Sequence, residues 1–420
     1  MTWQPSPRPE WVRAVNDGLI LPMAEVAALP FTRDGLLGEA RANLGLADGG
    51  IADFGGDDFL EPLAVLLPAL EEEADLTLMG RWITRRFLLR FLEVRLQLTA
   101  YVRADPGVVD EEITEPVFVA GAPRTGTTIL HALLAQDPTV RVPLGWELLR
   151  PVPPPDPATA ADDPRIALAD RELRLPAVVT GELDAIHVYG GRLHKECVSA
   201  LTFSFRSEEF TARYRVPSYA AWLQQCDMRP AYEMHKMVLQ MLQRRDHDVH
   251  WVLKSPAHMH WVPTILSVYP DARFAFTHRD PITILASVTS LVATLRYAHS
   301  DAVDFADIGA YHERLYQGAL DHLVTWSEDG TLDPARAHHS YYNDFMSDPL
   351  ALVEGLYESL GRKLAPDNAD AMRAYLAGRP KDQHGAHSYS FDDLGLDRDV
   401  ERSRFARYQN YFSVPGGTVA

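Results

Sequence analysis

Cysteine and lysine are the scarce residues of this 420-residue chain. Its two cysteines, Cys197 and Cys226, cannot build a disulfide framework, and no Cys-x-x-Cys pair offers a zinc or redox site. Of 40 Lys+Arg only Lys195, Lys236, Lys254, Lys363 and Lys381 are lysine, the habit of an arginine-favouring genome and a reason to check each one. Positive charge is short as well. Against 58 Asp+Glu the formal net charge is −18, which argues against a protein that coats nucleic acid or an anionic membrane. A small anion pocket remains open to it, with its basic residues concentrated in one place. No stretch approaches 18 uninterrupted apolar residues, so no membrane span is expected. Met1–Pro7 lacks a charged segment leading into an apolar one, so no secretory signal is expected, and a reduced cytoplasm fits. With 46% hydrophobic and 23% charged residues, the composition is that of a globular protein.

Apolar spacing predicts a helical region over residues 1–112, clearest from Leu76 to Val102. The pattern then changes. Pro116–Ala120 is a short apolar run that enters a Gly-containing turn, followed by a helical pattern from Thr127 to Leu134. Similar runs recur at Val249–Leu253, Arg273–Thr277 and His338–Tyr342, the second and third leading into helical segments. Strands separated by long helical stretches predict an α/β fold, a doubly wound parallel sheet flanked by helices. The expected core covers residues 113–345, with a helical C-terminal segment over 346–420. Five prolines between Pro151 and Pro157 predict a stiff linker or surface loop.

The strongest chemical signal is Gly121-Ala122-Pro123-Arg124-Thr125-Gly126-Thr127-Thr128. It has the Gly-x4-Gly frame of a phosphate loop, after a strand and at a helix start. There, backbone N–H groups and the positive end of the helix can hold an anion without any lysine. Thr127 stands where a nucleotidase carries its lysine, and a cation, Arg124, sits inside the loop instead. A second element is Thr277-His278-Arg279-Asp280-Pro281, with Ser287 eight residues after Arg279. The arginine offers a planar charged fork at a strand tip, and the serine a hydroxyl two helical turns along.

Together these elements resemble the sulfotransferases that use 3′-phosphoadenosine 5′-phosphosulfate (PAPS), in particular their bacterial and tyrosylprotein branches. The resemblance implies that Gly121–Thr128 hold the 5′-phosphosulfate and that Arg279 and Ser287 hold the 3′-phosphate. Leu253-Lys254-Ser255-Pro256 resembles the turn whose lysine faces the leaving phosphate, and Tyr342, in Tyr341–Phe345, the residue that contacts adenine. Lys381, in Lys381–Gly385, resembles loosely the late loop that covers the 3′-phosphate, so the tail is expected to close over the cosubstrate.

The implied reaction moves a sulfuryl group from PAPS to an acceptor hydroxyl by in-line displacement, with no metal. Arg124 and Lys254 are the candidates for stabilising the transferred group. Two residues are candidate bases, Glu147 and His187; a helix-cap glutamate and a satisfied core histidine are the alternatives. The expected partner is a small hydroxyl compound, apolar or aromatic if Phe203, Phe205 and Phe210 line the site and are not simply core. His258-Met259-His260 and His338-His339 lack carboxylates at metal spacing, so structural histidine is favoured. A catalytically silent nucleotide-binding protein and a small-molecule kinase are the competing readings, the latter disfavoured by Thr127.

Overall fold

Five short strands carry the architecture: β1 (Val117–Ala120), β2 (Val140–Arg141), β3 (His250–Lys254), β4 (Arg273–His278) and β5 (Ala337–Tyr341). In the computed structural model, which describes residues 3–46, 49–181, 189–247, 249–378 and 391–417, they form one sheet in the order β2-β3-β1-β4-β5. Every pairing is parallel. β1 is buried along its whole length because both faces are covered by helices, which is why it reads as an unbroken apolar run. β2 has two half-buried residues and pairs only with His250 and Trp251, too short to announce itself in the sequence.

The helical N-terminal region is present, and its longest helix, Leu78–Ala104, starts where the Thr77 hydroxyl caps the Gly80 N–H at 3.0 Å. Its apolar side joins a core that extends from Phe31 to Val414, so the early helices and the sheet share one interior. The proline-rich stretch 151–157 has no regular secondary structure, yet Pro151, Pro154 and Pro155 are buried, so it packs against the protein instead of linking parts of it. Phe203, Phe205 and Phe210 are fully buried against Phe91, whose ring lies 5.9–6.1 Å from each. They are core, and give no support to an apolar acceptor. Among the described residues, no helix is long and apolar enough to cross a membrane.

Candidate active site

The carboxyl ends of three adjacent strands, β3, β1 and β4, bring the chemistry together, the edge at which open parallel sheets place their ligands. At the tip of β1 the chain turns through Gly121–Gly126 into the helix Thr127–Leu134. Gly121 admits no side chain, since a Cβ there would stand 2.4 Å from Thr277 Oγ1 and 2.7 Å from its carbonyl oxygen. Gly126 has φ of 98°, a conformation that glycine adopts without strain. Arg124 also lies in the left-handed region, at φ 70°, and is held there from outside the loop. Its carbonyl accepts from Arg279 Nη1 at 2.6 Å, and its Nε donates to Ser287 Oγ at 3.1 Å. The buried Thr125 hydroxyl bonds Ala122 O (2.8 Å) and Thr277 Oγ1 (2.5 Å), tying the loop to β4.

Arg279 follows β4 and lays its guanidinium over the Tyr342 ring, 3.8 Å from the centroid. Asp280 caps the next helix, Pro281–Tyr297, which carries Ser287. The Asp280 carboxylate also accepts from both terminal guanidinium nitrogens of Arg402, Nη1 and Nη2, and accepts the Gly417 N–H at 2.8 Å, which docks the C-terminal segment beside Arg279. Arg279, Tyr342, Asn343 and Val414–Gly417 help to line a cavity of about 210 Å³.

Lys254 ends β3, buried, with its ammonium donating to Thr128 Oγ1 at 3.0 Å and to the Glu196 carboxylate. Glu196 has no motif of its own and is 58 residues from Lys254, so only the fold reveals the pair. His131, one turn beyond Thr127, bonds Val252 O at 3.1 Å; burial and the nearby Lys254 charge push its pKa down to about 3 and keep it neutral.

The structure therefore gathers Gly121–Thr128, Lys254, Arg279, Ser287 and Tyr342 at one end of the sheet. Glu147 is bonded elsewhere. Its Oε2 accepts the Leu144 N–H at 2.9 Å, closing the start of its own helix, and its Oε1 pairs with Arg141 at 3.1 Å. That is the helix-cap arrangement, with both oxygens engaged away from Lys254. His187 and Lys381 lie outside the described residues. His258 is bonded to Tyr232 at 3.0 Å and His339 to His278 at 2.8 Å, and among the described residues no cluster of three metal-ligating side chains occurs.

This arrangement has solved counterparts. Sulfotransferase STF1 from Mycobacterium tuberculosis H37Rv aligns over 90% of this chain and 98% of its own, with 32% identity and a TM-score of 0.78. STF9 from Mycobacterium avium covers 93% of this chain and 98% of its own, with 28% identity and a TM-score of 0.82. The omega-hydroxy-beta-dihydromenaquinone-9 sulfotransferases Stf3 of M. bovis and M. tuberculosis are 26% identical over 284 residues, 62% of this chain and 66% of theirs. A model of the sulfotransferase family matches residues 116–366, more than half of the chain, and with the shared fold this places the protein in the sulfotransferase family.

Proposed function

We propose that the protein transfers a sulfuryl group from PAPS to the hydroxyl of a small-molecule acceptor. The observation that carries this reading is the joining of two distant sequence elements: Arg279 and Ser287 bond directly to Arg124, inside the phosphate loop. A site built this way suits a nucleotide with phosphates at both ends. The glycine cradle, the left-handed Arg124 and the helix start leave successive N–H groups free to face an anion. The stacked Arg279–Tyr342 pair beside the 210 Å³ cavity suits a phosphorylated adenosine.

In this reading PAPS supplies the activated sulfuryl group and a phosphate leaving group. The loop amides, Thr127 and Thr128 hold the 5′ end; Arg279 and Ser287 hold the 3′-phosphate. Arg124 and Lys254 place positive charge on the oxygens where negative charge develops, fixed in advance by Ser287 and Thr128. Glu196, within reach of Lys254, is the proposed base for the acceptor proton, a role in which neither oxygen of Glu147 is free to serve. A non-protein acceptor that carries a hydroxyl is supported by the omega-hydroxy compound in the name of the Stf3 relatives.

The test is thermal stabilisation by 3′-phosphoadenosine 5′-phosphate (PAP) against ADP and ATP, each with and without Mg²⁺. At 100 times its Kd a ligand stabilises the fold by about 2.7 kcal/mol. Stabilisation by PAP alone, independent of Mg²⁺, is the expected outcome. A shift with ATP and Mg²⁺ and none with PAP would reject the reading in favour of a kinase.

A further inference from the structure

Next to Glu196 the chain buries more positive charge than the carboxylates described there balance. Arg90, Arg150, Lys195 and Arg213 gather around Glu172 and Glu209. Glu209 accepts two bonds from Arg213, at 3.1 and 2.7 Å, and one from the Ser199 hydroxyl at 2.9 Å. Burial would raise its pKa, but Arg213 and Lys195 hold it down at about 2. Glu172 binds Arg150 closely and stands 3.5 Å from Arg90.

Two of these cations lack a close hydrogen-bonded carboxylate among the described residues, although Arg90 stands 3.5 Å from Glu172 and Lys195 lies near Glu209. Arg90 is 6% exposed, and its buried Nε has no hydrogen-bond partner. Lys195 is 7% exposed; its ammonium lies 4.9 Å from the centre of the Tyr189 ring, with no ion pair to a carboxylate among the described residues. Burial lowers the pKa of both groups, to about 10 for Arg90. The half-buried Phe87 ring has the Arg90 and Arg213 guanidiniums over it, at 4.6 and 4.4 Å.

The position is informative. Lys195 precedes Glu196 in the chain, and Tyr189 packs against the buried pair Ala177 and Leu295, the latter eight residues beyond Ser287 on the same helix. The basic group therefore adjoins the transfer site away from the phosphate loop. Buried charge that lacks a close hydrogen-bonded carboxylate is costly to hold, and a ligand anion would relieve that cost.

We propose that Lys195 and Arg90, with Arg213 behind them, form an anion-binding subsite for the acceptor. This rests on the sulfuryl-transfer reading above. The acceptor is then an alcohol or phenol that also carries an acidic group, a carboxylate or phosphate, which pairs with Lys195 and Arg90 while the hydroxyl faces Glu196.

The test uses the full chain saturated with PAP and three phenols of similar size: 4-hydroxyphenylacetate, 4-ethylphenol and tyramine, titrated by calorimetry. The anionic phenol is expected to bind at least about tenfold tighter than the neutral one, and the cationic one most weakly. In Lys195→Met and in Arg90→Gln that preference falls to about twofold. The melting midpoint of ligand-free Lys195→Met stays level or rises, because the cost of burying this charge outweighs its attraction to Glu209. Equal affinities, no measurable binding of the anion, or a Lys195→Met midpoint several degrees lower each overturn the proposal. Failure of the nucleotide reading is seen separately, as absence of stabilisation by PAP, and the phenol series is then decided without nucleotide.

Discussion

Arg124 Nε donates to Ser287 Oγ across 163 residues of sequence, and that bond joins the phosphate loop to the helix Pro281–Tyr297. Removing the hydroxyl in Ser287→Ala takes a partner from Arg124 and, in the proposed reading, a donor from the 3′-phosphate. PAP binding is expected to weaken by about tenfold, the size of one or two lost hydrogen bonds to charged groups. Calorimetric titration of PAP decides it, and an unchanged Kd would mean that Ser287 does not reach the nucleotide.

Glu196 and Glu147 should fail in different ways. Glu196→Gln keeps the shape of the site and removes the proposed base, so kcat is expected to fall by about 10²–10⁴ while PAP affinity holds. Glu147→Gln weakens a buried pair with Arg141 and a helix start, and is expected to cost about 1–3 kcal/mol of stability with kcat largely retained. Single-turnover rates and denaturant melts of the two variants separate the roles. The reverse pattern would return the base to Glu147.

Glu208 sets a pH dependence of stability. Burial, with Glu196 nearby, raises its pKa to about 8, and its Oε1 stands 3.5 Å from His260, which burial keeps neutral with a pKa of about 3. An acid whose folded pKa is raised favours the fold fully below its unfolded pKa of about 4.5, and this contribution is lost as pH rises to about 8. Glu208→Gln is therefore expected to be more stable than the parent at pH 8.5, by on the order of a few kcal/mol, with the gap narrowing towards pH 5. Thermal melts of both proteins across that range test it; a constant difference would place the titration elsewhere.

Arg402 ties the C-terminal segment to Asp280, whose side chain is 2% exposed. Asp280 keeps the Ile282 and Gly417 N–H groups, so Arg402→Ala leaves it partly satisfied. About 1–3 kcal/mol of stability should be lost, together with several-fold in PAP affinity, because Arg279 is the preceding residue. An intact affinity in a destabilised variant would assign the ion pair to the fold alone.

Much of this was legible in the amino-acid pattern, and the part that was not has a physical reason. β1, β3 and β4 are apolar enough to stand out, and the helix Thr127–Leu134 begins where the glycine turn ends. The phosphate loop, Arg279, Ser287 and Tyr342 carry spacings that survive in one dimension, and they lie together in three. Glu196 carries none: its meeting with Lys254, 58 positions along the chain, depends on how the residues between them fold. By position Glu147 is open to two readings, base or helix cap, and its bonds to Leu144 and Arg141 are those of the cap. The basic group around Lys195 is assembled from four separate helices and loops, so no local charge run announces it.

The place of β1 at the middle of the sheet also orders events in time. Its strand partners are Val252–Lys254 on one side and Arg273–Phe276 on the other, so during synthesis Val117–Ala120 has no neighbour for more than 130 residues. At ordinary translation rates that is a wait on the order of ten seconds with an apolar strand unpaired. The phosphate loop cannot take its shape before then, since Arg279 and Ser287, which fix Arg124, are made later still. The nascent chain is most open to aggregation and to chaperones in that interval, well before any nucleotide could help it fold.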